Sequence, residues 1–245
     1  MKTQIRRERE FHRREEEFLD LARRMIAEGG LAGFNMDRLA EATEYSKGTL
    51  YQHFTSKEDL LAALSVQSLG RRAEWFARAV GFAGTTRERM HAITVAEEIF
   101  VTLRPLHFRS ELMIKVDDIG TRASAERLAE LDRLEGQCLA AVRGVVEEAV
   151  RVGELTLPPH RTVGDVVIEF VATHLGMYTI MHSFPHMLHK MNITDPLRVA
   201  RDMDAVYMDG LGWRPLSTES DPAATFRRIL QEVFPDEARR ASITG

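Results

Sequence analysis

The chain has a single cysteine, Cys138, among its 245 residues. That excludes a disulfide-stapled scaffold and any zinc site built on cysteine pairs. Set beside Leu139, Ala140 and Val142, Cys138 reads as a small buried apolar residue. Period-two alternation of apolar and polar residues is also missing, which argues against strands. No apolar run approaches the ~20 residues that cross a bilayer. The opening Met1–Arg7 leads into more charge rather than an apolar region, so no secretory leader is expected and Asn192-Ile193-Thr194 is a chance match to the glycosylation triplet. The expected location is the cytoplasm. An excess of one charge is lacking too: 33 Lys and Arg stand against 37 Asp and Glu, a net −4 that argues mildly against a nucleic-acid partner. There is no G-x-S-x-G, P-loop, G-x-G-x-x-G or H-E-x-x-H, so no enzyme class is indicated and no cofactor is called for. Glu97-Glu98 and Asp117-Asp118 are paired acids, but side chains one residue apart diverge on a helix.

What is present is helical periodicity nearly throughout, with glycine and proline between the periodic segments. The expected fold class is all-α. A first helix reads from about 9 to 28, with Phe11, Phe18, Leu21, Ala22, Met25 and Ile26 on one side and Gly29-Gly30 ending it. Two short helices follow, about 36–43 with Asn35 as its cap and about 47–53 with Ser46 as its cap. Thr55 or Ser56 caps a fourth, with Glu58 and Asp59 suited to the helix dipole. Further helices are expected over about 86–103, 107–117, 122–152, 162–184 and 196–211, and Asp221-Pro222 opens a last one carrying Phe226, Ile229, Leu230 and Val233.

Two short helices joined by a tight turn form a helix-turn-helix. Met36, Leu39, Ala40 and Thr43 suit the inner side of the first, and Leu50 and Phe54 that of the second. Lys47, Gly48, Thr49, Tyr51, Gln52 and His53 supply small or hydrogen-bonding groups for an outer face, and no acid stands between Lys47 and Lys57. The runs Asn35–Ala42, Ser46–Phe54 (SKGTLYQHF) and Ser56–Leu61 (SKEDLL) closely resemble the DNA-binding domain of the TetR/AcrR family of transcriptional regulators, over about residues 11–62. The resemblance implies that Asn35 belongs to the DNA-facing surface. It implies that Lys47, Gly48 and Thr49 open the recognition helix toward base edges, and that Tyr51, His53 and Lys57 bind phosphates. Gln52 has the groups to read adenine. The family's turn normally has glycine after the position of Thr43; here it is Glu44, which would cost roughly 1–2 kcal/mol if a left-handed conformation were needed.

Over the first fourteen residues six Lys and Arg face two Glu, a basic segment that reads either as a DNA-contacting arm or as a solvated helix extension. The expected domains are 1–62, an arm and helix-turn-helix, and 63–245, a helical ligand-binding and dimerisation domain. The resemblance implies dimerisation through the helices at 162–184 and 196–211, both apolar on more than one face. Candidates for an apolar effector pocket are Phe100, Arg104, Phe108, Met113, Phe170, His174, Met177, Tyr178 and Met181. A plain core stripe, with His174 as a hydrogen-bonded core histidine, is the competing reading. His182, His186 and His189 read as a surface loop rather than a metal site, since Pro185 interrupts them. The expected function is a homodimeric, ligand-responsive regulator, a repressor, on a palindromic DNA operator. The alternative is a small-molecule or metal-binding helical protein that kept the motif without operator binding.

Overall fold

Gly30, at φ 73°, breaks the first helix where the sequence places its end, and a short helical turn follows across the kink. In a computed structural model describing residues 2–114 and 123–243, α1 runs Lys2–Gly33 across that break, and it starts earlier than its apolar periodicity predicts. The left-handed glycine bends the chain locally and Leu31–Gly33 resume helical geometry. Upstream, the basic residues form an exposed helical extension held by i,i+4 pairs such as Arg6–Glu10 and Arg13–Glu17.

Eleven more helices follow among the described residues, with no strand: α2 (Met36–Glu41), α3 (Lys47–His53), α4 (Lys57–Val80), α5 (Thr86–Leu103), α6 (Pro105–Ile114), α7 (Ala125–Val152), α8 (Val163–Ser183), α9 (Pro185–Lys190), α10 (Pro196–Gly210), α11 (Pro222–Glu232) and α12 (Pro235–Ala241). The fold class is all-α. Pro105, Pro185 and Pro235 each open a helix, because a proline in the first turn gives up an N–H that has no partner there. This is why α6 begins two residues before its expected start, and why α9 and α12 stand where no helix is expected. His186 and His189 therefore lie on a helix and not in a loop, while His182 is on α8. The expected start of α7 at 122 and the Asp117-Asp118 pair lie outside the described residues.

The chain divides into two compact units: residues 1–69 with 106–134, and residues 70–105 with 135–245. The boundary is not the expected one at 62. Asp59 explains why 106–134 fold with the N-terminal helices. Its carboxylate accepts from the Ser124 backbone N–H at 3.0 Å and from the Ser124 hydroxyl at 2.6 Å, and Arg127 reaches Glu15 and the His53 carbonyl. The core of this first unit gathers Phe18, Leu39, Leu50, Phe54, Leu60 and Ile114.

In the second unit α5 is nearly surrounded. Trp75 of α4 meets Phe100 edge-on, and Trp213 donates to the Thr86 hydroxyl at 2.9 Å. Cys138 is buried, as expected. By length and composition α8 could cross a membrane, contrary to expectation; scattered polar residues hide this from a search for unbroken apolar runs. Those polar residues tie it to α10: Glu169 accepts from the Tyr207 hydroxyl, and His174 Nε2 lies 3.2 Å from Asp204.

Candidate nucleic-acid interface and effector cavity

In the first unit, α2 and α3 are short, and side chains cap both. Asn35 Oδ1 accepts from the Arg38 N–H at 2.8 Å, and Ser46 Oγ accepts from the Thr49 N–H at 3.1 Å. Between them, the Thr43 hydroxyl donates to the Ala40 carbonyl at 2.9 Å and accepts from the Tyr45 N–H at 3.4 Å. Glu44 is exposed and has no positive φ, so the strain expected of a non-glycine residue there is absent. Tyr45 turns inward, edge-on to Phe18, with its hydroxyl donating to Glu17 at 3.1 Å.

Helix α3 buries Leu50 and presents Lys47, Gly48, Tyr51 and Gln52 to solvent, with Thr49 half-buried. Among the described residues the Tyr51 hydroxyl and the Gln52 amide have no hydrogen-bond partner, and Tyr51 is 42% exposed. Lys47 pairs with Asp37 of α2 and lies 5.9 Å over the Tyr51 ring. Both charges of that pair are well exposed, so it is weak and open to exchange. Half-buried Lys57 donates to the Leu31 carbonyl at 3.1 Å, with its ammonium 6.0 Å over the Phe34 ring.

His53 departs from the expected outer face. Its side chain is 1% exposed, stacked on Phe11 at 3.8 Å between ring centres, with Nδ1 3.4 Å from Glu15. On seven helical residues Leu50 and His53, three apart, share the inward side, and Phe54 follows them in. Burial lowers the His53 pKa, against the pull of Glu15, so the ring is held toward neutrality. It is a packing residue of the α1–α3 contact.

Most of the expected effector stripe in the second unit is buried. Phe100, Phe170, Met177 and Tyr178 are buried, Arg104 and Met181 are intermediate, and none of them lines a cavity described below. Phe108 is buried in the first unit, and the side chain of Met113 lies outside the described residues. His174 is a hydrogen-bonded core histidine, with Nδ1 2.8 Å from the Phe170 carbonyl. Burial opposes its charge, but Asp204 outweighs that and lifts its pKa to about 9.

A cavity of about 470 Å³ opens instead between α5, α10 and the start of α11. Arg87, His91, Arg198, Arg201, Asp204 and Phe226 are among its walls. None of these belongs to the sequence-derived set. One signal was available, an acid inside an apolar run: Glu98, between Val95-Ala96 and Ile99-Phe100, is buried and pairs with Arg201 at 2.6 Å. Burial raises its carboxyl to about 7 against the pull of Arg201. As expected of adjacent helical residues, Glu97 points elsewhere, to Arg72 of α4 at 2.8 Å.

Residues 18–64 match the family model described as bacterial regulatory proteins, tetR family. The HTH-type transcriptional repressor AcnR of Corynebacterium glutamicum is 44% identical over 59 residues, 24% of this chain and 31% of the relative. The AcnR of Corynebacterium diphtheriae is 40% identical over 65 residues, 26% and 34% of the two chains. The chain thus spans about a third of the length of the curated relatives it matches. The fold is shared far more widely. The TetR family transcriptional regulator PfmR of Thermus thermophilus superposes with a TM-score of 0.58 at 21% identity, over 82% of this chain and 95% of that one. The transcriptional regulator FadR of Bacillus subtilis, in complex with stearoyl-CoA, gives 0.61 at 16% identity, over 80% and 98%. Residues 18–64 thus match the helix-turn-helix of the tetR family, and the chain as a whole shares the fold of regulators of that kind.

Proposed function

We propose that the chain is a DNA-binding transcriptional regulator, a ligand-responsive repressor acting in the cytoplasm as a homodimer on a palindromic operator. The observation that carries the reading is the outer face of α3, where Tyr51 and Gln52 offer groups that the protein's own packing leaves unused, beside exposed Gly48, Lys47 in its weak exposed pair with Asp37, and Thr49. The first unit is the reading head and the second the ligand-binding and dimerisation body. Two-fold symmetry sets the two recognition helices about 34–36 Å apart, or a near multiple, in successive major grooves. Asn35, at the start of α2, and Lys57, at the start of α4, are candidate phosphate contacts. The ordinary backbone at Glu44 removes the one feature that favoured a motif without DNA binding.

Gly48 gives the sharpest test. Its φ is not positive, and a Cβ there would meet only Ser46 Oγ, at 3.7 Å. The fold therefore makes no demand for glycine, whereas close approach to DNA would. Gly48→Ala is expected to stabilise α3 by about 0.5–1 kcal/mol, seen as a raised Tm. The same variant is expected to weaken operator binding at least about tenfold by fluorescence anisotropy. Unchanged affinity would remove α3 from the groove.

His53→Ala gives a second. A buried stacking residue should cost about 1–3 kcal/mol of stability when truncated. The slope of log affinity against log salt should stay as in the parent, because no phosphate contact is lost. A slope reduced by about one would return His53 to the DNA backbone.

A further inference from the structure

The hydrogen-bonding inventory of the 470 Å³ cavity is lopsided. Four carboxylates line it, and each is engaged. Asp204 faces His174, Asp202 pairs with Arg198, and Asp221 Oδ1 accepts from the Ala224 N–H at 2.9 Å. Glu88 accepts from the Thr85 N–H at 2.9 Å and the Thr225 hydroxyl at 3.0 Å. Arg87 is likewise spent, on the Trp213 and Ala205 carbonyls and on Asp209.

The remaining donors are not. Arg201 gives Nη1 to Glu98, its Nη2 is 3.9 Å from Asp195, and its Nε–H has no partner among the described residues. Its guanidinium is held 4.6 Å over the Phe226 ring, which fixes the plane of the unused N–H groups. Arg198 bonds Asp202 through Nη1, leaving Nε and Nη2. The His91 imidazole stacks on Phe226 at 6.2 Å and has no hydrogen bond among the described residues. Met208, Pro215 and Pro222 complete an apolar wall, and the volume lies in the ordinary range for small-molecule sites, about 300–1,000 Å³.

Unspent donors over an apolar floor call for a ligand with acceptors at one end and none at the other. We propose that this cavity binds a small monocarboxylate with an apolar body, its carboxylate on Arg201 and Arg198, its first carbons beside His91, and its tail on Phe226 and Met208. The arginine fork suits the two carboxylate oxygens. A bound carboxylate would share Arg201 with Glu98, at a point on α5 adjoining the Glu97–Arg72 pair with α4. That regulatory consequence rests on the function proposed above; the binding itself does not.

Octanoate, octanamide and octylamine share a body and differ in the head, so calorimetric titration of the full chain with each tests the proposal. Octanoate should bind at one per chain, octanamide at least tenfold more weakly and octylamine not at all. Arg201→Gln should weaken octanoate about a hundredfold. Arg198→Gln should weaken it about tenfold, and because that side chain is 60% exposed the variant keeps its fold. Absent octanoate binding, equal binding of octanamide, or octanoate affinity unchanged in a folded Arg198→Gln protein would each overturn the site. Anisotropy with operator DNA on the same samples separates the two readings: a variant-sensitive octanoate site without DNA binding keeps the site and ends the regulator reading. DNA binding without an octanoate site does the reverse.

Discussion

Val206→Arg is expected to leave a folded monomer whose operator affinity is at least about a hundredfold below that of the parent. Val206 is 72% exposed in the middle of α10, on a stripe with Val199, Met203 and Gly210. A matching stripe on α8 carries Ile168, Ala172, Leu175 and Thr179 at spacings of four, three and four. An apolar strip of this kind, flanked by residues that bind α8 to α10, suits burial against its own copy across a two-fold axis. Symmetry doubles the lesion, since each arginine enters an apolar interface without a partner. The fold should survive because so little of Val206 touches its own chain. Operator binding should not, because one head alone makes half the base contacts, and specific and non-specific binding differ by about 10³–10⁷. Light scattering at micromolar concentration and anisotropy with operator DNA give the two readouts. A dimeric variant with parental affinity would move the interface elsewhere.

The second large effect is on stability. Asp59→Ala is expected to cost the first unit about 3–5 kcal/mol near neutral pH. The side chain is 3% exposed and gathers the Ser124 N–H, the Ser124 hydroxyl and the Thr55 N–H at 3.1 Å, with Arg127 Nε 3.5 Å away. Removing the carboxylate strands those donors and leaves the partly buried Arg127 guanidinium with Glu15 and the His53 carbonyl alone. Burial alone would raise the pKa of this carboxyl, but the hydrogen bonds and Arg127 more than offset it and hold it below the usual carboxylate range. A depressed folded-state pKa contributes stability in full above the unfolded value, about 3.9, and loses it as pH falls through the folded value. The gap between parent and variant should therefore be widest near pH 7 and close below about pH 4. Hydrogen exchange of the amides of residues 47–62 across that range measures it locally. A gap independent of pH would mean that Asp59 acts through shape, not charge.

The same residue shows what a sequence can and cannot display. Asp59 at the third position of a helix after Ser56 is legible, and the Ser56 hydroxyl does accept from its N–H at 3.0 Å. That Ser124 and Arg127 would end there is not, because sixty-five residues of chain separate them and no local pattern records the meeting. The α5 bounds match the expectation because Thr85 and Glu88 form a capping box that spells the start in adjacent letters. His53 misled because a motif gives residue types in order, while burial depends on which side of a two-turn helix the protein needs. The cavity was hidden for the opposite reason. Its charged walls look like an ordinary solvated helix face until α5, α10 and α11 are brought together.

The division of the first unit between residues 1–69 and 106–134 has a consequence for biosynthesis. The helix-turn-helix is synthesised before the groups that close over it, Ser110, Ser124 and Arg127, which emerge dozens of residues later. Until then Arg23 lacks its Ser110 contact and Asp59 has only its own helix start. Contacts of such sequence separation slow folding, since a long loop must be closed before they contribute. A fragment cut at residue 69 would reproduce this half-made state, so the helix-turn-helix of this chain is not an excisable module.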